Sequence, residues 1–298
     1  MATRVTQGMI NTQLMRNLNA NLARLDHTQG QLATGRKINK PSDDPVGISY
    51  AMRYRSEISA NSQYGENVDS AISWLEITDS TLNQASNVIQ RLRELTIQAS
   101  NGTNPQTALD AIDSEVSQLY EQLIVIGNSE FNGKHIFNGQ MTENPPYTSE
   151  TAGDTLTDSG NIKFEIGVGV KIDANVSGET IFGNPDDIDN AFKVMNDLRT
   201  ALKAGDFTTI NNSIGRLDSR INKFLEVRAD VGAKMNRVQL SQGRLEDINI
   251  NLQSLQSKVE DADMAQLITT LKTDENVYQA SLSIGAKIIR PSLIDFLR

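Results

Sequence analysis

The chain has 298 residues, 28 Lys and Arg against 37 Asp and Glu, a formal net charge of −9 and no cysteine. The acidic balance disfavours nucleic acid and anionic membrane surfaces, which need clustered basic side chains. Lack of cysteine excludes disulfides, thiolate metal sites and a thiol nucleophile. Hydrophobic residues make up 38% and aromatics 5%, which predicts an aliphatic core spread along elongated elements, in one large domain or two to three small ones. No apolar run approaches the roughly 18–20 residues of a membrane helix, and the opening MATRVTQGMINTQLMRNL has no apolar signal-peptide core.

Along the chain, Met15, Leu18, Leu22, Leu25, Gln29 and Leu32 follow steps of three and four, the seam of a coiled helix. Gly35 is placed to end it. In residues 38–47, INKPSDDPVG, Asp44 reads as an N-cap and Pro45 as a first-turn residue of the next helix. Ile48, Met52 and Ile58 are loosely spaced. Val68, Ala71, Leu75, Thr78, Leu82, Ala85, Ile89, Leu92, Thr96 and Ala99 then make a clean heptad run. Residues 101–105 break it, and Ile112, Val116, Leu119, Leu123 and Ile126 predict an antiparallel return helix.

Two Asn-Gly pairs bracket FNGKHIFNG at 131–139, the chemistry of tight hairpins. Residues 140–161 read as loop. Ile162, Phe164, Ile166, Val168, Val170 and Ile172 alternate with period two, the strong strand signal of the chain. After Pro185, Ile188, Ala191, Met195, Leu198 and Leu202 predict a helix capped by Asp187 and stopped by Gly205. Ile210 to Val238 predict a long helix with Arg228 as an exception on its seam, continued after a phase slip by Leu245 to Ala262. Met264 to Ile289 form the last pattern.

The fold class is therefore mainly α. Both chain ends form an elongated antiparallel helical bundle or coiled coil, with a small β-containing insertion in the middle. The expected domains are 1–40 plus 263–298, a rod of 41–139 plus 186–262, and an insertion of 140–185. The narrow terminal seams predict ends that order on association.

Catalytic chemistry has little to stand on. His27 lies on the polar side of its helix and His135 in the hairpin, so neither has partners for a triad or metal site. Asp43-Asp44 and Asp186-Asp187-x-Asp189 lack the alternating ligand spacing of a calcium loop. Gly167-Val168-Gly169 sits in a strand pattern with no following helix, so it is not a phosphate loop. No catalytic, cofactor or metal residues are assigned. A ligand-binding or enzymatic reading would have to rest on 140–185, which lack His, Cys and Trp.

IQRLRELTIQASNGTN (89–104) and FNGKHIFNG resemble the bacterial flagellin superfamily. RVTQGMI, GRKINKPSDDPVG and ENVYQASLSIGAKIIRPSLIDFLR are more similar to its hook–filament junction members (hook-associated protein 3) than to filament flagellins. That resemblance implies a structural subunit without a cofactor. Such a subunit would be exported through the flagellar apparatus without a cleaved signal and would assemble in the extracellular flagellum through paired terminal helices that line an inner tube. Its partners would be copies of itself, neighbouring hook-associated protein and flagellin subunits, and a cytoplasmic export chaperone bound around 255–298. The implied interface is Leu18, Leu22, Leu25 and Leu32 with Leu267, Leu271, Tyr278 and Leu282, within or between subunits. Pro41, Ser42, Asp43, Asp44 and Pro45 would form a joint between inner and outer helical layers. Arg91, Leu95 and Glu115 match part of a flagellin motif read by an innate immune receptor. A filament-forming flagellin is the alternative.

Overall fold

The structure, a computed structural model, describes residues 7–289. The first residues of RVTQGMI and the closing PSLIDFLR lie outside the described residues. Among those described, the helices are α1 (Gln7–Thr34), α2 (Pro45–Ala99), α3 (Gln106–Gly127), α4 (Gly178–Phe182), α5 (Ala191–Ala204), α6 (Phe207–Glu260) and α7 (Met264–Ile289). Two antiparallel hairpins separate α3 from α4: β1 (Glu130–Phe131) with β2 (Lys134–His135), and β3 (Lys163–Gly167) with β4 (Val170–Asp173). The chain forms two compact units, one of Met1–Ala60 with Ile248–Arg298 and the other of Asn61–Asp247.

In the second unit the long heptad run decides the packing. All ten expected positions from Val68 to Ala99 are buried. The two threonines on that seam satisfy themselves within the helix: Thr78 donates to Trp74 O at 2.8 Å and Thr96 to Leu92 O at 2.7 Å. A hydroxyl so bonded can enter an apolar seam without an orphaned donor. Against this face, α6 runs antiparallel. Asn61 donates to Leu245 O, Arg228 pairs with Asp79 at 3.0 Å, and Arg93 pairs with Asp218. Arg228, the exception on the α6 seam, is thus a cross-helix tie that also donates to Asn83 Oδ1. Joined to α2 by a short turn, α3 packs on α5 through Asp113 with Arg199 and Lys203, and through Tyr120 edge-on to Phe192.

Local turn chemistry places the hairpins. Asn132 (φ 52°) and Gly133 (φ 73°) supply the two left-handed residues that a tight β1–β2 turn requires. The alternating run 162–172 is a hairpin folded at Val168-Gly169, where Gly169 has φ 71° and Val168 is exposed. Alternation continues through the turn because the one-residue register shift between Glu165 and Gly167 offsets the two-residue reversal, which alone would swap the faces, and sets Phe164 opposite Ile172.

The expected cap of α5 is corrected. The helix starts at Ala191, and Asn190 caps it by accepting from Lys193 N at 3.1 Å. Ile188 is exposed in the preceding loop. Asp187 accepts instead from Asn184 N, and it and Asp189 pair with the buried Arg220 of α6. A buried guanidinium needs such carboxylates more than the helix needs a second cap. The stop at Gly205 is as expected, with a left-handed φ of 65°.

Few aromatics are available, yet five converge. Phe182 of α4 meets Phe137, Tyr147, Phe192 and Phe224 at centroid distances of 5.8, 5.4, 5.3 and 5.9 Å. Burial pushes the Tyr147 hydroxyl well above the usual phenol range. Ile166, Ile172 and Val176 join the same core, so residues 140–185 are packed into the second unit. Phe182→Ala should destabilise it by about 3–5 kcal/mol. Urea unfolding monitored by near-UV dichroism checks this; a loss under about 1 kcal/mol would reject the hub.

Candidate functional site

Pattern, pairing and resemblance all direct attention to the terminal helices and the segments entering and leaving them. Within the first unit, α1 and α7 pack against each other and run antiparallel. Asn21 Nδ2 donates to Ser281 Oγ at 2.8 Å, and one heptad on, Thr28 Oγ1 donates to Asp274 Oδ2 at 3.2 Å. A Cβ added at Gly285 would lie 3.0 Å from Leu14. The seam is therefore Leu14, Leu18, Asn21, Leu25, Thr28 and Leu32 against Leu267, Leu271, Asp274, Tyr278, Ser281 and Gly285.

This differs from the expected seam by one line of residues. Leu18, Leu25, Leu32, Leu267, Leu271 and Tyr278 are half-buried in the helix pair, whereas Leu22 and Leu282 are not in the seam. Met15, Leu22, Ile268 and Leu282 are 45–53% exposed. Each directly follows a seam residue (14, 21, 267 and 281). In an antiparallel pair these flanking lines fall on the same side of both helices. The hydrophobic pattern pointed to the flank because Asn21, Thr28, Asp274 and Ser281 hide the true seam from any apolar count. Their hydrogen bonds across the pair carry no periodic sequence signal.

At the other end of α1 lies the joint. Gly35 (φ 70°) ends the helix. Its carbonyl accepts from Ala262 N at 3.0 Å, and Lys37 N donates to Glu260 O at 2.8 Å, so 35–37 and 260–262 form a short antiparallel ladder. Beneath it the Glu260 carboxylate is 1% exposed and lies between Arg55 at 2.7 Å and Arg36 at 3.5 Å. The hydrogen bond to Glu260 pushes Arg55 up from its ordinary value.

Within the joint Asp43 organises the turn. Its Oδ2 accepts from Asn39 N at 2.9 Å and Lys40 N at 2.8 Å, while Oδ1 lies 3.4 Å from His27 Nε2. Those backbone donors, with His27 a smaller cause, hold its carboxyl below the usual range. Asp44 Oδ1 accepts from Val46 N and Gly47 N, capping α2, and Pro45 opens the helix. A Cβ at Gly47 would meet Asp44 and Ile38 at 2.4 and 2.6 Å, so only glycine fits without displacing them. Pro41 and Ser42 are exposed.

Of the remaining residues, Arg91 and Glu115 are brought together at 2.8 Å, an ion pair between α2 and α3. Leu95 is separated from any surface contact, being 2% exposed in the core. Among the described residues no group of three or more His, Cys, Asp or Glu is placed to hold a metal ion. A hollow of about 370 Å³ lies between 159–180 and α6. Its charged lining is paired with itself, Lys223 with Glu226 and Lys234 with Asp230.

Comparison with known proteins gives the class. The pattern of the bacterial flagellin N-terminal helical region matches residues 5–142, and that of the C-terminal helical region matches residues 214–297. The chain belongs to the bacterial flagellin family. It is a structural component of the flagellum, an extracellular appendage whose subunits assemble with one another and with neighbouring flagellar proteins.

It is 29% identical over 272 residues to the flagellar filament 33 kDa core protein of Treponema phagedenis, covering 90% of each chain. It is 28% identical over 298 residues to flagellin of Bacillus subtilis, covering 95% of each. Its fold is similar to flagellar hook associated protein-3 of Legionella pneumophila (TM-score 0.64, 15% identity, 70% of this chain and 98% of that one). It is also similar to FlgL of Bacillus cereus (TM-score 0.60, 21% identity, 69% and 99%).

Two outcomes follow for the joint. Glu260→Gln leaves two arginines without their anion and should cost about 2 kcal/mol, less than a fully buried pair because both arginines are nearly half exposed. Chemical unfolding of the first unit checks it. Asp43 has a lowered folded value, so its contribution is present above the unfolded value of about 3.9 and lost as pH falls through the folded one. Thermal melts below about pH 4 should therefore fall less steeply for Asp43→Asn than for the parent. Parallel slopes would remove Asp43 from the account.

Proposed function

We propose that the chain is the adaptor at the hook–filament junction, assembled through its paired terminal helices. The observation that supports assembly is the apolar flank of Met15, Leu22, Ile268 and Leu282, left in water by the α1–α7 pair. Exposed apolar lines of this kind suit burial against a second copy. What favours the junction over the filament is the Pro41-Ser42-Asp43-Asp44-Pro45 form of the joint, together with the C-terminal PSLIDFLR. Both resemble the junction members.

In this reading the chain leaves the cell unfolded through the flagellar export apparatus, with a chaperone on 255–298. Residues 1–40 with 263–298 line the inner tube, and 41–139 with 186–262 form the surrounding layer. Residues 140–185 face outward, and 41–45 form the joint between layers. Arg91 and Glu115 offer surface to a receptor only as an ion pair, with Leu95 inaccessible behind them, which favours a structural role for that motif.

A filament subunit is the second reading, favoured by curated relatives that are a filament core protein and a flagellin over nearly their whole length. Deleting the gene separates the two. The junction reading expects bare hooks in electron micrographs and flagellin monomers released into the medium. Purified protein should grow no long filaments. Long filaments made of this chain alone would reject the junction role in favour of the filament.

A further inference from the structure

The sequence holds three Asn-Gly pairs, at 101–102, 132–133 and 138–139, and all three lie in the second unit. In this dipeptide the carboxamide is open to attack by the next backbone nitrogen, because glycine has no Cβ to crowd the approach. The fold treats the three pairs differently.

Asn138 is 8% exposed and held at both ends of its carboxamide. Its Nδ2 donates to Met141 O at 3.0 Å and Asn144 O at 3.1 Å, and its Oδ1 accepts from Asp158 N at 3.3 Å. Gly139, at φ 54°, lies against the Asp158 backbone. Asn132 is exposed, but the hairpin fixes its left-handed φ of 52°: Phe131 pairs with Lys134 and Glu130 with His135. Asn101 has neither restraint. It is exposed in the break between α2 and α3. Its carboxamide has no hydrogen-bond partner among the described residues, and Gly102 N donates to none of them. Beyond the chain neighbours, no atom lies within 4 Å of where a Gly102 Cβ would stand.

We propose that Asn101 is an intrinsic modification site, at which the chain deamidates without an enzyme. The Gly102 nitrogen gives its proton to hydroxide and bonds to Asn101 Cγ. The Cγ–Nδ2 bond breaks, and Nδ2 leaves as ammonia by taking a proton from water, which restores the hydroxide. A five-membered succinimide remains. Water then opens the ring at either carbonyl carbon: that carbon's bond to nitrogen breaks, and the nitrogen takes back a proton. Opening at Cγ leaves an ordinary backbone with aspartate at position 101. Opening at the backbone carbonyl leaves isoaspartate, with the main chain running through Cγ. Attack within one residue makes the first step competitive, since both reacting groups are already neighbours.

Either product adds a negative charge to a chain of net charge −9. The Asn101 backbone oxygen accepts from Asn104 N at 3.1 Å, closing the α2–α3 turn. Isoaspartate takes that carbonyl out of the main chain and so opens the turn. The mark accumulates with time and dates the chain at the link between α2 and its return helix. Its chemistry is the same in a junction subunit and in a filament subunit.

Purified full-length protein, one portion folded and one in urea, is held in mildly alkaline buffer and sampled over time. Fragment-ion mass spectrometry scores each asparagine, and isoaspartyl methyltransferase labelling scores isoaspartate. In the folded chain Asn101 should react at least about tenfold faster than Asn132, whose turn must open. It should outpace Asn138, which must release three hydrogen bonds, by about a hundredfold. In urea the three rates should converge. Gly102→Ala, at a position with room for a Cβ and without a positive φ, should slow Asn101 about tenfold with the urea midpoint unchanged. If Asn132 or Asn138 keeps pace with Asn101 in the folded chain, or if the same order survives in urea, the fold does not select this site and the proposal is overturned.

Discussion

A helix with more apolar surface than one partner can cover must leave some of it in water or bury it on another chain. That constraint governs the terminal pair. The α1–α7 contact uses a seam in which hydrogen-bonded Asn21, Thr28, Asp274 and Ser281 take positions that leucines would fill in a stable coiled coil. The leucines beside them, Leu22 and Leu282, stand outside. The pair is thus weakly held within its own chain and strongly apolar towards a neighbour. The second unit inverts this balance, with every position of its long α2 run buried and an aromatic hub closing the end around Phe182.

The joint suits the same economy. Gly35 and Asp44-Pro45 stop one helix and start the next, which any helical chain could do. What is particular is the ladder between 35–37 and 260–262, lying over a buried Glu260 that two arginines share. Both segments that connect the terminal helices to the rest of the first unit are thereby tied to one carboxylate. A change at either strand reaches the other through Glu260 rather than through the helices.

Much of this was legible in the residues. The ten positions from Val68 to Ala99, the stops at Gly35 and Gly205, the Asp44 cap and the Asn132-Gly133 turn all follow from local chemistry, and the structure has each of them. What was hidden depended on contacts far apart in the chain. The seam of α1 became visible only with Ser281 and Asp274 opposite Asn21 and Thr28. Asp187 looked like a cap because nothing local announces Arg220, thirty-three positions later in the sequence. Phe182 sits in a five-residue helix too short to show periodicity, and Glu260 reads as one more charge on a polar helix face.

The central claim is that the outward flank of the terminal pair is the surface by which subunits meet. Its most direct measurement is the incorporation of Leu22→Asp with Leu282→Asp into flagella, beside urea unfolding of the same variant. Two charges on an exposed flank should leave the second unit's unfolding unchanged and abolish incorporation. Incorporation at the parent's level would contradict the claim, because no subunit interface could bury both aspartates without loss.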